Sequence, residues 1–166
     1  MIQSTDGFIK YFESVRRRTL NYIRVLPTDR LDWSPRAGEF TCGDILRHIL
    51  VAEKMFVRVA MDGRWEYEGH EATQEQSLDE LVALLATSHA ESIEKLKQFA
   101  DQDLSALRPG PKEGAQPVKA WRWLMAMTEH EIHHRSQLAM YLSLMGVQPP
   151  HIFGLGVEDL IALSVT

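Results

Sequence analysis

The sequence predicts an all-α protein, a four-helix bundle with long crossover connections. Three observations lead there. Four segments carry apolar residues at every third or fourth position, the period of a helix buried along one face. No segment shows a convincing alternation of period two. The connections between the four segments run to about 14, 15 and 16 residues, where simple up-and-down bundles use roughly 2 to 8.

Phe8, Phe12, Val15, Thr19, Tyr22 and Leu26 form the stripe of the first helix, which begins near Asp6 and ends before Pro27. Pro35 and Gly38 interrupt the next stretch until Thr41 and Asp44 supply a capping box. The second helix then runs from about Cys42 to Met61, burying Ile45, Ile49, Ala52, Met55, Phe56 and Val59, and breaks at Asp62 and Gly63. Ser77 and Glu80 make a second capping box, opening a third helix with Leu78, Val82, Leu85, Ile93, Leu96 and Phe99 on its apolar side. Pro109, Gly110, Pro111, Gly114 and Pro117 crowd the following connection. Pro117 suits a first helical turn, so the fourth helix is expected over about 117 to 145, stopped by Gly146, Pro149 and Pro150. Val157 to Leu163 offer one or two further turns.

At ~1.5 Å per residue these helices span roughly 30 to 43 Å. Fifteen extended residues reach at most about 50 Å, so the 62–76 connection is long enough to cross the bundle and set helices 2 and 3 parallel.

The 166 residues suit one domain, 1–166, and 45% hydrophobic with 25% charged residues is an ordinary globular composition. One cysteine, Cys42, forms no internal disulfide, and with no signal-like N-terminal run the expected location is cytoplasmic. No apolar run is long enough to span a membrane, and a net charge of -5 argues against nucleic-acid and membrane partners. Arg16-Arg17-Arg18 reads as the solvated face of the first helix.

Three of the seven histidines fall in His130-Glu131-Ile132-His133-His134. On an ideal helix His130 and His134 project about 40° apart, one turn above the other, as two ligands of one ion require. Trp123, Met127, Gln137 and Tyr141 share their direction, which turns the pair inward. His48 lies in line with Ile45, Ala52, Met55 and Val59 and is the natural third ligand. Three neutral imidazoles with an open position are the pattern of a catalytic metal centre. His89, between Leu85 and Ile93, is a rival. His70 and His151 read as turn histidines, and His133, about 80° from the ligand direction, as a flanking group.

The same residues satisfy the zincin pattern His-Glu-x-x-His, in which Glu131 would be the general base. The metzincin extension fails at Gln137 and Met140, and a glutamate-ligand variant would have to recruit Glu158. Glu131-x-x-His134 is also one half of a di-iron carboxylate motif, but a second copy is missing.

Taken in order, Leu31-Asp32-Trp33-Ser34-Pro35, Thr41-Cys42-Gly43-Asp44-Ile45-Leu46-Arg47-His48-Ile49 and His130-Glu131-Ile132-His133-His134-Arg135-Ser136-Gln137-Leu138 resemble the DinB-like superfamily of YfiT-like metalloenzymes. The resemblance covers nearly the whole chain. It implies an up-down-down-up bundle, a divalent metal on His48, His130 and His134, and frequent homodimerisation. Zn or Ni come first as the ion, Fe or Co after them. Some relatives use low-molecular-weight thiols, as in mycothiol-dependent maleylpyruvate isomerases and bacillithiol S-transferases. The expected function is therefore a metal-dependent transferase or hydrolase acting on a small-molecule substrate, with a thiol cosubstrate and with Glu131 beside the metal. A zincin-like hydrolase and a noncatalytic metal- or ligand-binding bundle are the alternatives.

Overall fold

The computed structural model describes residues 2–71 and 75–164. Four long helices, α1 (Thr5–Ile23), α2 (Cys42–Asp62), α3 (Leu78–Lys97) and α4 (Ala120–Leu144), form a four-helix bundle. A short α5 (Val157–Ser164) follows. The caps are those expected. Thr41 with Asp44, and Ser77 with Glu80, form reciprocal capping boxes that satisfy the first backbone donors of α2 and α3. Gly63 ends α2 at φ 73°, a left-handed conformation that a side chain would strain, and a Cβ there would also press on Pro109.

Two apolar clusters fix the topology. One joins the start of α1 (Phe8, Phe12) and of α4 (Ala120, Trp123, Leu124, Met127) to the ends of α2 (Phe56, Val59) and α3 (Ile93, Leu96). The other joins the starts of α2 (Ile45, Ile49) and α3 (Leu81, Leu85) to the ends of α1 (Tyr22, Ile23) and α4 (Leu138, Tyr141, Leu142). Helices α2 and α3 therefore run parallel to each other and opposite to α1 and α4, the up-down-down-up order. The crossover from α2 to α3 must return along the bundle. It does so along α2 itself: Arg58 pairs with Glu66, and the Arg47 Nε donates to the His70 carbonyl at 2.8 Å. Residues 72–74 of this connection lie outside the described residues.

The fourth helix begins three residues later than the sequence suggests. Pro117 does not open it, because Val118–Lys119 (β2) pair antiparallel with Leu107–Arg108 (β1) before the helix starts at Ala120. Two residues per strand are too few to show a period, which is why this hairpin escaped the sequence pattern. It has a use. The Arg108 guanidinium donates to the carbonyls of Ala60 and Met61, both at 2.7 Å, and so satisfies acceptors at the end of α2.

A second correction concerns Arg16, expected on a solvated face. It is only 4% exposed and is paired with acids on α2 and α4. Its Nε donates to both Glu131 oxygens at 3.0 and 3.2 Å, and Nη2 to Glu131 at 2.8 Å and to Glu53 at 2.6 Å. His89 Nδ1 lies 2.9 Å from the other Glu53 oxygen. Burial alone would raise the Glu53 carboxyl pKa, but Arg16, with His89 and Ser92, reverses that and holds it below its ordinary value.

This network generates a stability prediction. A carboxyl whose folded pKa is depressed stabilises the fold fully above its unfolded pKa of about 4.3, and that contribution is lost as pH falls through the folded value. Arg16→Met strands two buried carboxylates and should cost ~3–5 kcal/mol in urea unfolding at pH 7. The gap to wild type should narrow as pH falls into acid, because Glu53 without Arg16 takes up a proton before the paired carboxyl of the wild type does. A loss under ~1 kcal/mol at pH 7, or a gap constant into acid, would contradict this role.

Candidate metal centre

His48 reaches the centre from the first half of α2, and His130 and His134 from the middle of α4, which packs directly against α2. The three imidazoles converge: one ring nitrogen from each lies within 4.8 Å of the others, the one group of potential metal ligands of this kind among the described residues. His48 Nε2 and His130 Nε2 are 2.9 Å apart. The ring centroids of His134 lie 4.5 Å from those of His48 and 4.4 Å from those of His130. A tetrahedral ion with metal–nitrogen bonds of ~2.0–2.1 Å would set its ligand nitrogens roughly 3.3 Å apart, so small ring rotations suffice to seat one.

The outer nitrogens of His134 and His48 are engaged. His134 Nδ1 lies 2.9 Å from Gln137 Oε1, an acceptor that obliges Nδ1 to carry the proton and leaves Nε2 bare. Gln137 in turn donates to the Tyr141 hydroxyl at 3.2 Å, and Tyr141 to the Phe40 carbonyl at 3.0 Å. This ties the ligand-bearing face of α4 to the segment before α2. His48 Nδ1 lies 2.6 Å from the Tyr67 hydroxyl. Such hydrogen bonds fix the tautomer and ring orientation of a metal-binding histidine.

The electrostatics favour neutral rings. Burial, then the neighbouring imidazoles His134, His70 and His133, pushes His48 down to about 4. Burial with His134, His48 and His133 takes His130 to about 3. His134 is also lowered, chiefly by burial, with the Gln137 hydrogen bond opposing it. Ligands that are already unprotonated near neutrality cost no proton release when they bind a cation. Phe40 closes one side, stacked on His134 at 6.3 Å and edge-on to His48 at 5.3 Å, and Phe56 packs edge-on to His130 at 5.6 Å. The donor set, three neutral nitrogens with aromatic walls and no carboxylate, fits a borderline divalent ion such as zinc or nickel better than calcium or magnesium.

The remaining predicted residues lie elsewhere. Glu131, expected beside the metal, directs both carboxylate oxygens to Arg16 in the bundle interior. On its helix Glu131 projects to one side of the His130–His134 direction, and the group filling that direction is a guanidinium. His89 is turned to Glu53 and does not join the triad. His133 is exposed, its ring edge-on against His134 at 4.8 Å. Glu158 is exposed on α5. Sequence reasoning missed His70 and Tyr67. Their only signal was indirect, since a connection that returns along α2 must pass His48.

Cys42 is fully buried at the start of α2, and burial raises its thiol pKa to about 11. At pH 8 the thiolate fraction is then ~0.1%, against roughly a quarter for an unperturbed cysteine. Iodoacetamide should label Cys42 at least about 200-fold more slowly in the folded protein than in guanidinium. Rates within tenfold of each other would refute this environment.

Comparison with known proteins agrees with the architecture. Residues 1–161 match the profile of the DinB family. The uncharacterized protein YjoA of Bacillus subtilis is 24% identical over 146 residues, 88% of this chain and 93% of its own. A DinB-like protein from Bacillus cereus superposes with a TM-score of 0.76 at 20% identity, covering 91% of this chain and 99% of its own. YfiT from B. subtilis, described as a probable metal-dependent hydrolase with an unusual four-helix bundle topology, gives 0.69 at 17% identity over 87% and 89%.

Proposed function

The chain belongs to the DinB family, and on that premise we propose that it is a metal-dependent enzyme acting on a small molecule at His48, His130 and His134. The observation that carries the reading is the convergence of three neutral imidazoles, two of them with their outer nitrogens held by hydrogen bonds. A divalent ion, Zn or Ni first and Fe or Co after them, would keep its full charge there and acidify a bound water or thiol into a nucleophile near neutral pH. The chain's residues supply the remainder. The three rings would hold and orient the ion, with Phe40 packed against His48 and Phe56 against His130, and the partial exposure of His48 supports access of a small substrate.

The preferred reaction is a thiol-dependent S-transfer. The thiol proton leaves to solvent, the thiolate sulfur bonds to an electrophilic carbon of the substrate, and the leaving group departs with its electron pair. Two observations favour a thiol from outside the chain: Cys42 is buried and protonated, and no other cysteine exists. Hydrolysis by water at the same centre is the second reading, supported by the description of YfiT. A zincin-like mechanism loses its base, because Glu131 is committed to Arg16. The reading takes the protein to be cytoplasmic. No described helix is long and apolar enough to cross a membrane, and the net charge of -5 gives no nucleic-acid footprint.

Elemental analysis of the purified protein should find one divalent ion per chain. His48→Ala and His134→Ala should each lose stoichiometric metal while remaining helical by circular dichroism. Stoichiometric metal in both folded variants would overturn the site. With the metal-loaded protein, consumption of low-molecular-weight thiols against monochlorobimane should depend on the ion. Ester or amide hydrolysis without any thiol requirement would select the second reading, and neither activity would select a noncatalytic binding role.

Homodimerisation forms part of the proposal. It is supported by the apolar side chains that the C-terminal segment exposes, among them Phe153, Leu155, Val157, Leu160 and Ile161. Light scattering at micromolar concentration should give twice the chain mass, and a monomer mass would contradict it.

A further inference from the structure

Tyr67 and His70 lie in the crossover, in a stretch anchored on both sides. Before it, Trp65 packs edge-on to Trp123 at 4.8 Å and Glu66 pairs with Arg58; after it, Arg47 holds the His70 carbonyl at 2.8 Å. Between these anchors the Tyr67 hydroxyl is 2.6 Å from His48 Nδ1 and 2.7 Å from His70 Nδ1. The His70 ring rests on Phe40, centroids 4.4 Å apart, so it is held from behind by the same ring that lines the triad.

From these contacts the geometry points to Tyr67, backed by His70, as a positioning residue that presents His48 to the metal through Nε2. This inference rests on the metal reading above. The argument is one of counting protons. The Tyr67 hydroxyl carries one, yet it stands between two imidazole nitrogens, so the chain of hydrogen bonds has a direction. If His70 Nδ1 donates to Tyr67 and Tyr67 to His48 Nδ1, the remaining His48 proton sits on Nε2, the atom facing His130, and blocks that ligand position. In the opposite direction His48 Nδ1–H donates to Tyr67, Tyr67 donates to His70 Nδ1, and His70 keeps its proton on Nε2. Only this order frees His48 Nε2, so cation binding and the outward order support each other. His134 obtains the same service from Gln137 on its own helix. His48 obtains it from a segment that arrives only because α2 and α3 are parallel.

The test is metal affinity by chelator competition together with NMR of the zinc-loaded protein. Tyr67→Phe removes one oxygen from a residue that is 42% exposed, so the fold should survive. It should weaken zinc binding by about 10- to 100-fold. In the wild type the His48 Nδ1–H resonance should be protected from exchange with water, and in Tyr67→Phe that protection should disappear. His70→Ala should cost less than Tyr67→Phe. Unchanged affinity, or weaker binding with the Nδ1–H still protected, overturns the inference. Loss of stoichiometric zinc in His70→Ala also overturns it, because His70 would then be a ligand itself. A wild type that binds no zinc or nickel refutes the metal reading and this inference together, whereas a wild type that binds zinc alongside an unaffected Tyr67→Phe refutes the inference alone.

Discussion

One buried guanidinium governs how the helices are turned. Apolar stripes bring four helices together but tolerate rotation, since one aliphatic side chain packs much like another. Hydrogen bonds do not. Arg16 grips Glu131 on α4 with three donor contacts and Glu53 on α2 with a fourth, and His89 on α3 completes the set. Glu131 projects about 100° from His130, and Glu53 about 140° from His48. Holding both carboxylates on one arginine thus turns His48, His130 and His134 toward a different sector of the bundle, where they meet. The cost of burying these charges is met by mutual pairing, and the return is a defined azimuth for the two helices that carry the triad.

The site and the network consequently divide the polar interior between them. On one side are charges, two carboxylates against an arginine. On the other are neutral rings, their protons disfavoured by burial and by each other. Glu131 and His130 are consecutive residues that serve opposite sides. A carboxylate turned into the triad would have given it a hard anionic ligand. Its capture by Arg16 leaves a nitrogen-only donor set of the kind that suits a borderline cation.

Most of the fold could be read from period and punctuation. The stripes of α1, α2 and α3 and both capping boxes stand where the residues suggest, and the inward projection of His48, His130 and His134 was enough to bring them together. What could not be read depends on partners distant in sequence. Arg16 looks solvated beside Arg17 and Arg18 because nothing local reveals two acids, 37 and 115 residues away, waiting for it. Glu131 suffers the same ambiguity: an angle on a helix does not say which neighbour occupies it. Two strand residues before α4 leave no period, so Pro117 was credited to the helix. Tyr67 and His70 belong to a connection whose path is dictated by topology rather than by its own composition.

The central claim is that the three histidines hold one ion, and anomalous diffraction from crystals of the purified protein, collected at the zinc, nickel, iron and cobalt edges, tests it most directly. The account predicts a single peak per chain about 2.0–2.1 Å from nitrogens of His48, His130 and His134, with no protein carboxylate in contact. A peak among Glu53, His89 and Glu131, or a fully ordered triad with no anomalous scatterer after exposure to each metal, would contradict it.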